Sequence, residues 1–241
     1  QKFHLIMNCL MEIYLHLAPG FQNNIWYFGY GATSGSPGAG LDFNSGSPVA
    51  LTNGKLASYE GCSSISDASG KFLFSTNGQV IWNSLQDTMP NGDSLKWNMS
   101  STSGSIIVKQ PGQCGKYYVF TNTDVSTPSP GLYYSVVDMT LDGGKGDVIS
   151  GKKNILAFGP TPEKLAAAVH QNGRDVWVIT HERQTSKFCV FLLTPTGLSA
   201  PIFKTIGSAN YWGYGELKVS PDGKKLAAAL FQYDAFQVFD F

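Results

Sequence analysis

The densest group of residues able to transfer a proton or hold a metal ion is His181, Glu182 and Arg183, at the end of a predicted strand. Glu163 and His170 lie nearby in the sequence. An imidazole beside a carboxylate can act as an acid and base pair or as a pair of metal ligands. Adjacent strand residues, however, point to opposite faces of a sheet. We therefore expect a solvated strand end with an ion pair, and we predict no catalytic residue.

A second group with possible chemistry is Asp138, Asp142 and Asp147, which lie among three glycines. Carboxylates spaced along a glycine-rich loop are typical of calcium sites. The EF-hand spacing and its terminal glutamate are missing here. A plain glycine turn is the favoured interpretation, and we predict no metal ion and no cofactor.

Aromatic residues are the best candidates for binding. Tyr211, Trp212 and Tyr214 alternate with glycines in one predicted loop, and Trp97 lies in another. Exposed aromatic rings are typical of protein interfaces and of surfaces that stack on sugars. The alternative is that these rings pack between sheets. The candidate binding residues are Trp97, Tyr211, Trp212, Tyr214, His181 and Glu182.

One turn pattern occurs four times and predicts the elements that position these residues. Its glycines, Gly70, Gly115, Gly173 and Gly223, lie 45, 58 and 50 residues apart. Asp, Asn, Ser or Pro begins each turn, Gly accepts a positive φ, and a strand follows. A second strand comes about ten to twenty residues later. A repeat of this length, with one small antiparallel sheet per unit, predicts a β-propeller.

Composition and charge agree with an all-β fold. The chain has 27 glycines in 241 residues and only 14% charged residues, which favours a turn-rich chain with a large core. Its 17 basic residues are scattered and balanced by 17 acidic ones, so nucleic acid is not an expected partner. No apolar run reaches the roughly 18 to 20 residues of a membrane span.

The predicted fold class is all-β, a β-propeller of four-stranded antiparallel blades with about four to five blades visible. Two alanine-rich stretches, residues 163–169 and 224–230, are assigned to strands because they share the phase of clear strands. The predicted strands are 24–28, 49–51, 71–75, 79–82, 105–108, 117–121, 132–139, 165–169, 176–180, 187–193, 201–205, 217–219 and 236–241. Residues 30–46 are predicted as loop because they are rich in Gly, Ser and Pro.

Two domains are predicted. Residues 1–22 form an apolar segment, either a degraded secretion signal or an element that packs on the propeller. Residues 23–241 form the propeller, which we expect to be truncated at its C-terminus. An incomplete ring leaves an open blade edge, and an open edge invites self-association or cover by another chain.

The four cysteines, Cys9, Cys62, Cys114 and Cys189, are far apart in the sequence. This spacing favours neither a disulfide scaffold nor a zinc site. We expect all four to be packing residues. A long-range disulfide such as Cys62 to Cys189 is the alternative, because spatial neighbours cannot be derived from spacing.

An ordered series of motifs over residues 23–241 resembles a bacterial family, the WD-repeat-like propeller regions of secreted Bacteroidetes-type proteins linked to gliding motility and type IX secretion. The motifs are residues 24–29, 39–44, 60–62, 65–67, 78–83, 89–92, 133–139 and 216–223. The resemblance implies a secreted or cell-surface module with a role in adhesion. Residues 1–21 match no motif of the family, and residues 30–38 look like an insertion.

Three functions follow as expectations. The leading one is a non-catalytic module that binds a protein or a glycan at the bacterial surface. The second is a propeller hydrolase or lyase acting on glycans or lactones, which would require His170, His181 or Glu182 to converge with other polar groups. The third is a structural spacer in a large adhesin, which would bind nothing.

Overall fold

The structure is a computed structural model that describes residues 21–29, 38–98, 100–123, 125–126, 130–209 and 212–241. Its regular elements are antiparallel β-strands and three short 3-10 helices, Phe21–Asn23, Asp142–Gly144 and Phe231–Tyr233. No helix among the described residues is long and apolar enough to cross a membrane. The all-β prediction is confirmed. Of the predicted segment 1–22, residues 1–20 lie outside the described residues.

The strands form five antiparallel sheets in chain order. Sheet 1 contains β1 (Ile25–Phe28), β2 (Ala39–Asp42) and β3 (Val49–Leu51), and sheet 2 contains β4 (Ser63–Ser66), β5 (Phe72–Thr76) and β6 (Ile81–Asn83). Sheet 3 contains β7 (Ser105–Lys109), β8 (Lys116–Asn122), β9 (Leu132–Asp138), β10 (Asp147–Val148) and β11 (Ile155–Phe158). Sheet 4 contains β12 (Leu165–Val169), β13 (Val176–His181), β14 (Lys187–Thr194), β15 (Gly197–Leu198) and β16 (Ile202–Thr205), and sheet 5 contains β17 (Leu217–Val219), β18 (Lys225–Leu230) and β19 (Ala235–Asp240).

The repeated turns are present at the predicted positions. Gly70, Gly115, Gly173 and Gly223 have φ values of 87°, 73°, 70° and 70°, in the region that favours glycine. Side chains complete the turns: the Asp67 carboxylate accepts hydrogen bonds from the backbone N–H of Ser69 and Lys71. These bonds are local, which explains why the sequence predicts the hairpins correctly.

Sheets 3 and 4 each have a fourth strand, and in both sheets this strand is divided into two short strands. In sheet 3, β10 and β11 pair along the same edge of β9. In sheet 4, β15 and β16 pair along the same edge of β14. Sheet 5 ends at β19, and no described strand pairs with the outer edge of β19.

The five sheets stack face to face in chain order. The first strands of successive sheets, β1, β4, β7, β12 and β17, contact one another in turn. A separate hydrophobic cluster fills each interval, and Tyr27 with Phe72 and Phe74 with Tyr117 join the first three sheets. The largest cluster lies between sheets 3 and 4, and it includes Phe120 and Phe191.

Some predictions about the strands were wrong. Residues 30–46 are not all loop, because β2 occupies Ala39–Asp42. Close packing requires glycine at position 40, because a Cβ there would lie 2.5 Å from the carbonyl oxygen of Trp26. Strands β4, β10, β11 and β15 were also missed. The alanine-rich stretches are strands, β12 and β18, as predicted.

The prediction for the cysteines was wrong as well. Cys62 is disulfide-bonded, whereas Cys114 and Cys189 are free thiols. The alternative pairing of Cys62 with Cys189 is therefore also wrong. Cys189 is a buried packing residue, as expected, and its burial raises the pKa of the thiol to about 12.

Candidate functional site

Exposed aromatic side chains gather where two loops of sheet 5 meet. Trp212 is 59% exposed in the loop before β17, and Phe231 and Tyr233 are 63% and 51% exposed in the 3-10 helix between β18 and β19. Tyr214 contacts Phe231 edge to face, with ring centroids 5.8 Å apart. The Gln232 side chain donates to the carbonyl oxygen of Ala209 at 3.3 Å, which ties the two loops together. We call Trp212, Tyr214, Phe231 and Tyr233 the aromatic surface.

Glycine fixes the first of these loops against sheet 4. Gly213 has φ +84°, and a Cβ there would lie 2.6 Å from Cγ1 of Val125 and 3.1 Å from Cβ of Pro162. Its carbonyl oxygen accepts a hydrogen bond from the N–H of Glu163 at 3.1 Å. The backbone between Trp212 and Tyr214 is therefore closely packed at Gly213.

A buried lysine lies behind the aromatic surface. The Lys164 ammonium donates to the carbonyl oxygens of Tyr214 at 2.8 Å, of Gly215 at 2.9 Å and of Ala229. Lys164 is 1% exposed, and burial lowers its pKa to about 8 although Glu216 and Glu163 oppose that shift. All three N–H groups of the ammonium are used by backbone carbonyl oxygens of β18 and of the loop before β17. Lys164 therefore joins sheet 4 to sheet 5, and it has no hydrogen left for a substrate.

Two glutamates flank this lysine. Glu163 is fully buried, and its carboxylate accepts hydrogen bonds from the N–H and hydroxyl of Thr102 at 2.9 and 3.0 Å. Burial raises the pKa of Glu216, whose Oε2 lies 3.4 Å from the Ser103 hydroxyl and 3.5 Å from the Lys218 ammonium. Its buried Oε1 meets no hydrogen-bond partner among the described residues. The group lies where the first strands of sheets 3, 4 and 5 begin.

The predicted acid and base residues do not converge. His170 follows β12 and His181 ends β13, so the two histidines lie at opposite ends of one antiparallel pair. His181 is buried with its ring edge-on to Phe188, and burial lowers the pKa of its imidazole. Glu182 forms an ion pair with Lys187 at 2.8 Å. We expected a solvated strand end with an ion pair. The ion pair of Glu182 is present, but His181 is buried rather than solvated.

The remaining candidate residues lie apart from one another. Trp97 is half-buried and packs over Gly78, where a Cβ would lie 2.2 Å from Cδ1 of the indole. Trp97 therefore packs on sheet 2, whereas Trp212 and Tyr214 belong to the aromatic surface. Tyr211 lies outside the described residues. Phe231 and Tyr233 were not predicted, although an aromatic pair in a short connection between two strands was a usable signal.

The aspartates of the glycine-rich segment are engaged with neighbouring protein groups. Asp138 accepts from the N–H and hydroxyl of Thr140, and Asp147 accepts two hydrogen bonds from Asn91. Asp142 forms an ion pair with Lys145 at 2.9 Å. Over the described ranges, no three His, Cys, Asp or Glu side chains are grouped so as to hold a metal ion.

Comparison with known proteins identifies no family for this chain. No protein-family model and no curated protein matches the chain. Among solved structures, hydrazine synthase of Kuenenia stuttgartiensis is similar over 90% of this chain, with 11% sequence identity and a TM-score of 0.43. The similar region covers 62% of that chain, which is less than two thirds of its length.

Proposed function

We propose that this chain is a non-catalytic binding module of β-propeller type, which binds a glycan or a protein at the bacterial surface through the aromatic surface. One observation carries the proposal: four aromatic side chains from two loops are gathered at one end of sheets 4 and 5, and three of them are more than half exposed. Exposed large aromatic groups are costly in water and are typical of binding surfaces.

The sheet arrangement supports the propeller part of the proposal. Twisted antiparallel sheets that meet through their first strands, one after another along the chain, are typical of blades around an axis. Sheets 3 and 4 have four strands each when the two halves of the outer strand are counted as one. The starts of the first strands then mark one end of the axis, where Glu163 and Glu216 lie.

The chemistry of the aromatic surface supports a glycan or protein ligand. Trp and Tyr rings offer flat apolar faces for sugar rings or apolar side chains, and little side-chain entropy is lost on binding. The loop backbone around Gly213 is fixed by its packing, which lowers the cost of ordering on binding.

A secreted or cell-surface location belongs to the same proposal. A disulfide bond at Cys62 supports it, because disulfides persist mainly in oxidising compartments. The resemblance to WD-repeat-like propeller regions of secreted gliding-motility proteins adds adhesion as the biological role that we propose. The disulfide at Cys62 and the family resemblance are both independent of the aromatic surface.

Binding to a glycan array, combined with binding to intact bacterial cells, tests the proposal. We expect Trp212→Ala and Phe231→Ala to reduce binding at least tenfold, a loss of about 1.4 kcal/mol. Leu85→Ala is the matched control, because Leu85 is 64% exposed but lies in the turn after β6, away from the aromatic surface. Its binding should equal that of the wild type.

Three results would contradict the proposal. Binding that survives both aromatic substitutions would place the site elsewhere. Turnover of glycans or lactones by the purified protein, with metal content measured in parallel, would favour an enzyme. A protein that binds neither glycans nor cells would favour a structural spacer.

A further inference from the structure

The dipeptide Asn-Gly occurs in this chain at Asn53–Gly54, Asn77–Gly78, Asn91–Gly92 and Asn172–Gly173. The backbone nitrogen of the glycine can attack Cγ of the asparagine side chain, which expels ammonia and closes a five-membered succinimide ring. Glycine favours this attack because it has no Cβ to obstruct the approach. Water then opens the ring at one of its two carbonyl groups, and the product is aspartate or isoaspartate.

Three of these glycines have their backbone N–H engaged in a turn. The acceptor lies 2.8 to 2.9 Å away in each case, and the three bonds run from Gly78 to the Thr76 hydroxyl, from Gly92 to the Met89 carbonyl oxygen and from Gly173 to the His170 carbonyl oxygen. Such a bond must break before the nitrogen can give up its proton and attack. The turns therefore oppose the reaction at these sites.

The side-chain amides of the same three asparagines are engaged as well. Each Nδ2 donates to an oxygen of another residue: Asn77 to the carbonyl of Ala57 at 2.9 Å, Asn91 to Asp147 at 2.7 Å and Asn172 to Asp175 at 2.8 Å. These bonds fix the orientation of the amide that would have to rotate toward the glycine nitrogen. Both reacting groups are thus held at three of the four sites.

Asn53 and Gly54 are different. They lie in the irregular segment after β3, and Asn53 is exposed. Neither the Gly54 N–H nor the Asn53 Nδ2 has a hydrogen-bond acceptor among the residues that the structure describes. The Asn53 Oδ1 accepts one bond, from the Tyr27 hydroxyl at 3.0 Å. A donor at this oxygen stabilises the negative charge that develops there when Cγ is attacked, so it favours the reaction.

We propose that Asn53 is a site of spontaneous deamidation, through attack of the Gly54 nitrogen on Cγ of Asn53. The new N–C bond replaces the bond from Cγ to Nδ2, the proton of the Gly54 nitrogen passes to solvent, and ammonia leaves. Hydrolysis of the ring consumes one water molecule, and no group is oxidised or reduced. The inference does not rest on the proposed binding function, because none of these residues belongs to the aromatic surface.

The isoaspartate product should disturb the packing of sheet 1. It adds one methylene to the backbone beside Gly54, where a Cβ on Gly54 would already lie 2.6 Å from Cδ1 of Tyr27. The Tyr27 ring packs edge to face on Phe72, with centroids 4.9 Å apart, and so joins sheet 1 to sheet 2. The aspartate product keeps the normal backbone and an oxygen for the Tyr27 hydroxyl. Loosening of sheet 1 is therefore expected from isoaspartate.

Peptide mapping by mass spectrometry tests the site. The folded wild-type protein is incubated at mildly alkaline pH, and conversion is measured at all four asparagines. We expect Asn53 to react at least about tenfold faster than Asn77, Asn91 or Asn172. Protein unfolded in guanidinium chloride is the matched control, because the turns are lost there and the four sites should react at similar rates. Conversion of another site as fast as Asn53 in the folded protein overturns the proposal, and so does an Asn53 that reacts only after unfolding.

Thermal unfolding of aged protein tests the consequence. We expect the melting temperature of the wild type to fall by about 2 to 4 °C as isoaspartate accumulates. Asn53→Ser removes the reacting amide, so its melting temperature should stay constant over the same incubation. An equal fall in the Asn53→Ser protein would show that the loosening has another origin. The mapping result stands apart from this variant, because it is measured on the wild type.

Discussion

Sheets 4 and 5 have equivalent strands and turns, but they differ in how many of their faces are covered. Sheet 4 packs on sheet 3 through one face and on sheet 5 through the other. Among the described residues, sheet 5 packs only on sheet 4, so Phe236 and Val238, which match the partly buried Val190 and Leu192, remain exposed. Turns and strand pairing therefore contribute to the stability of both sheets in the same way, whereas the contribution from buried side chains differs between them.

The largest difference should come from two phenylalanines of the third strands, Phe188 in sheet 4 and Phe236 in sheet 5. Phe188→Ala removes a ring buried between the sheets, and we expect the free energy of unfolding to fall by about 3 to 5 kcal/mol. Phe236→Ala removes an exposed ring and should change it by less than about 0.5 kcal/mol. Urea unfolding at low protein concentration measures both. Equal losses would show that Phe236 is buried in solution and would break the comparison.

The link between the two sheets should be the next largest effect. Lys164→Met leaves three carbonyl oxygens and a buried Glu216 without the ammonium, so we expect a loss of about 3 kcal/mol. Lys218→Met removes a partly exposed lysine near the same carboxylate and should cost less than about 1 kcal/mol. Hydrogen exchange should quicken in β17, β18 and β19 of the Lys164 variant. Uniform quickening over sheets 1 to 4 would contradict this role.

The turns should respond alike in the two sheets. Gly173 and Gly223 both have φ 70° and open space around them, so alanine is opposed only by backbone strain. We expect Gly173→Ala and Gly223→Ala each to lower the free energy of unfolding by about 1 to 2 kcal/mol. Thermal unfolding compares them. A much smaller cost in sheet 5 would mean that its turn is not held as firmly as that of sheet 4.

The smallest effect is a pH dependence confined to sheet 4. Burial lowers the pKa of His181 below 6.5, so at mildly acidic pH the unfolded chain binds a proton that the native chain excludes. The free energy of unfolding should therefore fall as pH decreases through 6.5, and this contribution should be complete above 6.5. Counted from the turn glycines Gly173 and Gly223, the corresponding residue of sheet 5 is Phe231, which cannot titrate. Urea unfolding at several pH values should show a shallower slope for His181→Gln, and an unchanged slope would reject this origin.

Much of the fold could be predicted because its signals are local. The four turn patterns fix hairpins through their own glycines and side chains, and the paired strands follow. Strand β4 was missed because its serines look like loop residues. Ser64 is buried, with its hydroxyl donating to the carbonyl oxygen of Ile25 at 2.8 Å, and Ser63 lies 3.0 Å from the Ser105 hydroxyl. Those partners come from other sheets, so no local pattern could reveal them.

The candidate site was only partly predictable for the same reason. The sequence indicated Trp212 and Tyr214 by their composition, but the contact of Tyr214 with Phe231 depends on two loops meeting. Trp97 has the same composition signal and packs over Gly78 in another sheet. Residue type alone does not distinguish these two environments.

The sequence by itself determined where the chain turns and which strands pair as hairpins, because a glycine at positive φ and its capping side chains act over a few residues. The tertiary structure alone decided which faces are covered and where a charge can be buried. Lys164 is tolerated inside because carbonyl oxygens 50, 51 and 65 residues away meet its ammonium. A buried ion needs partners on several sides, and only the packing of one sheet on the next brings them together.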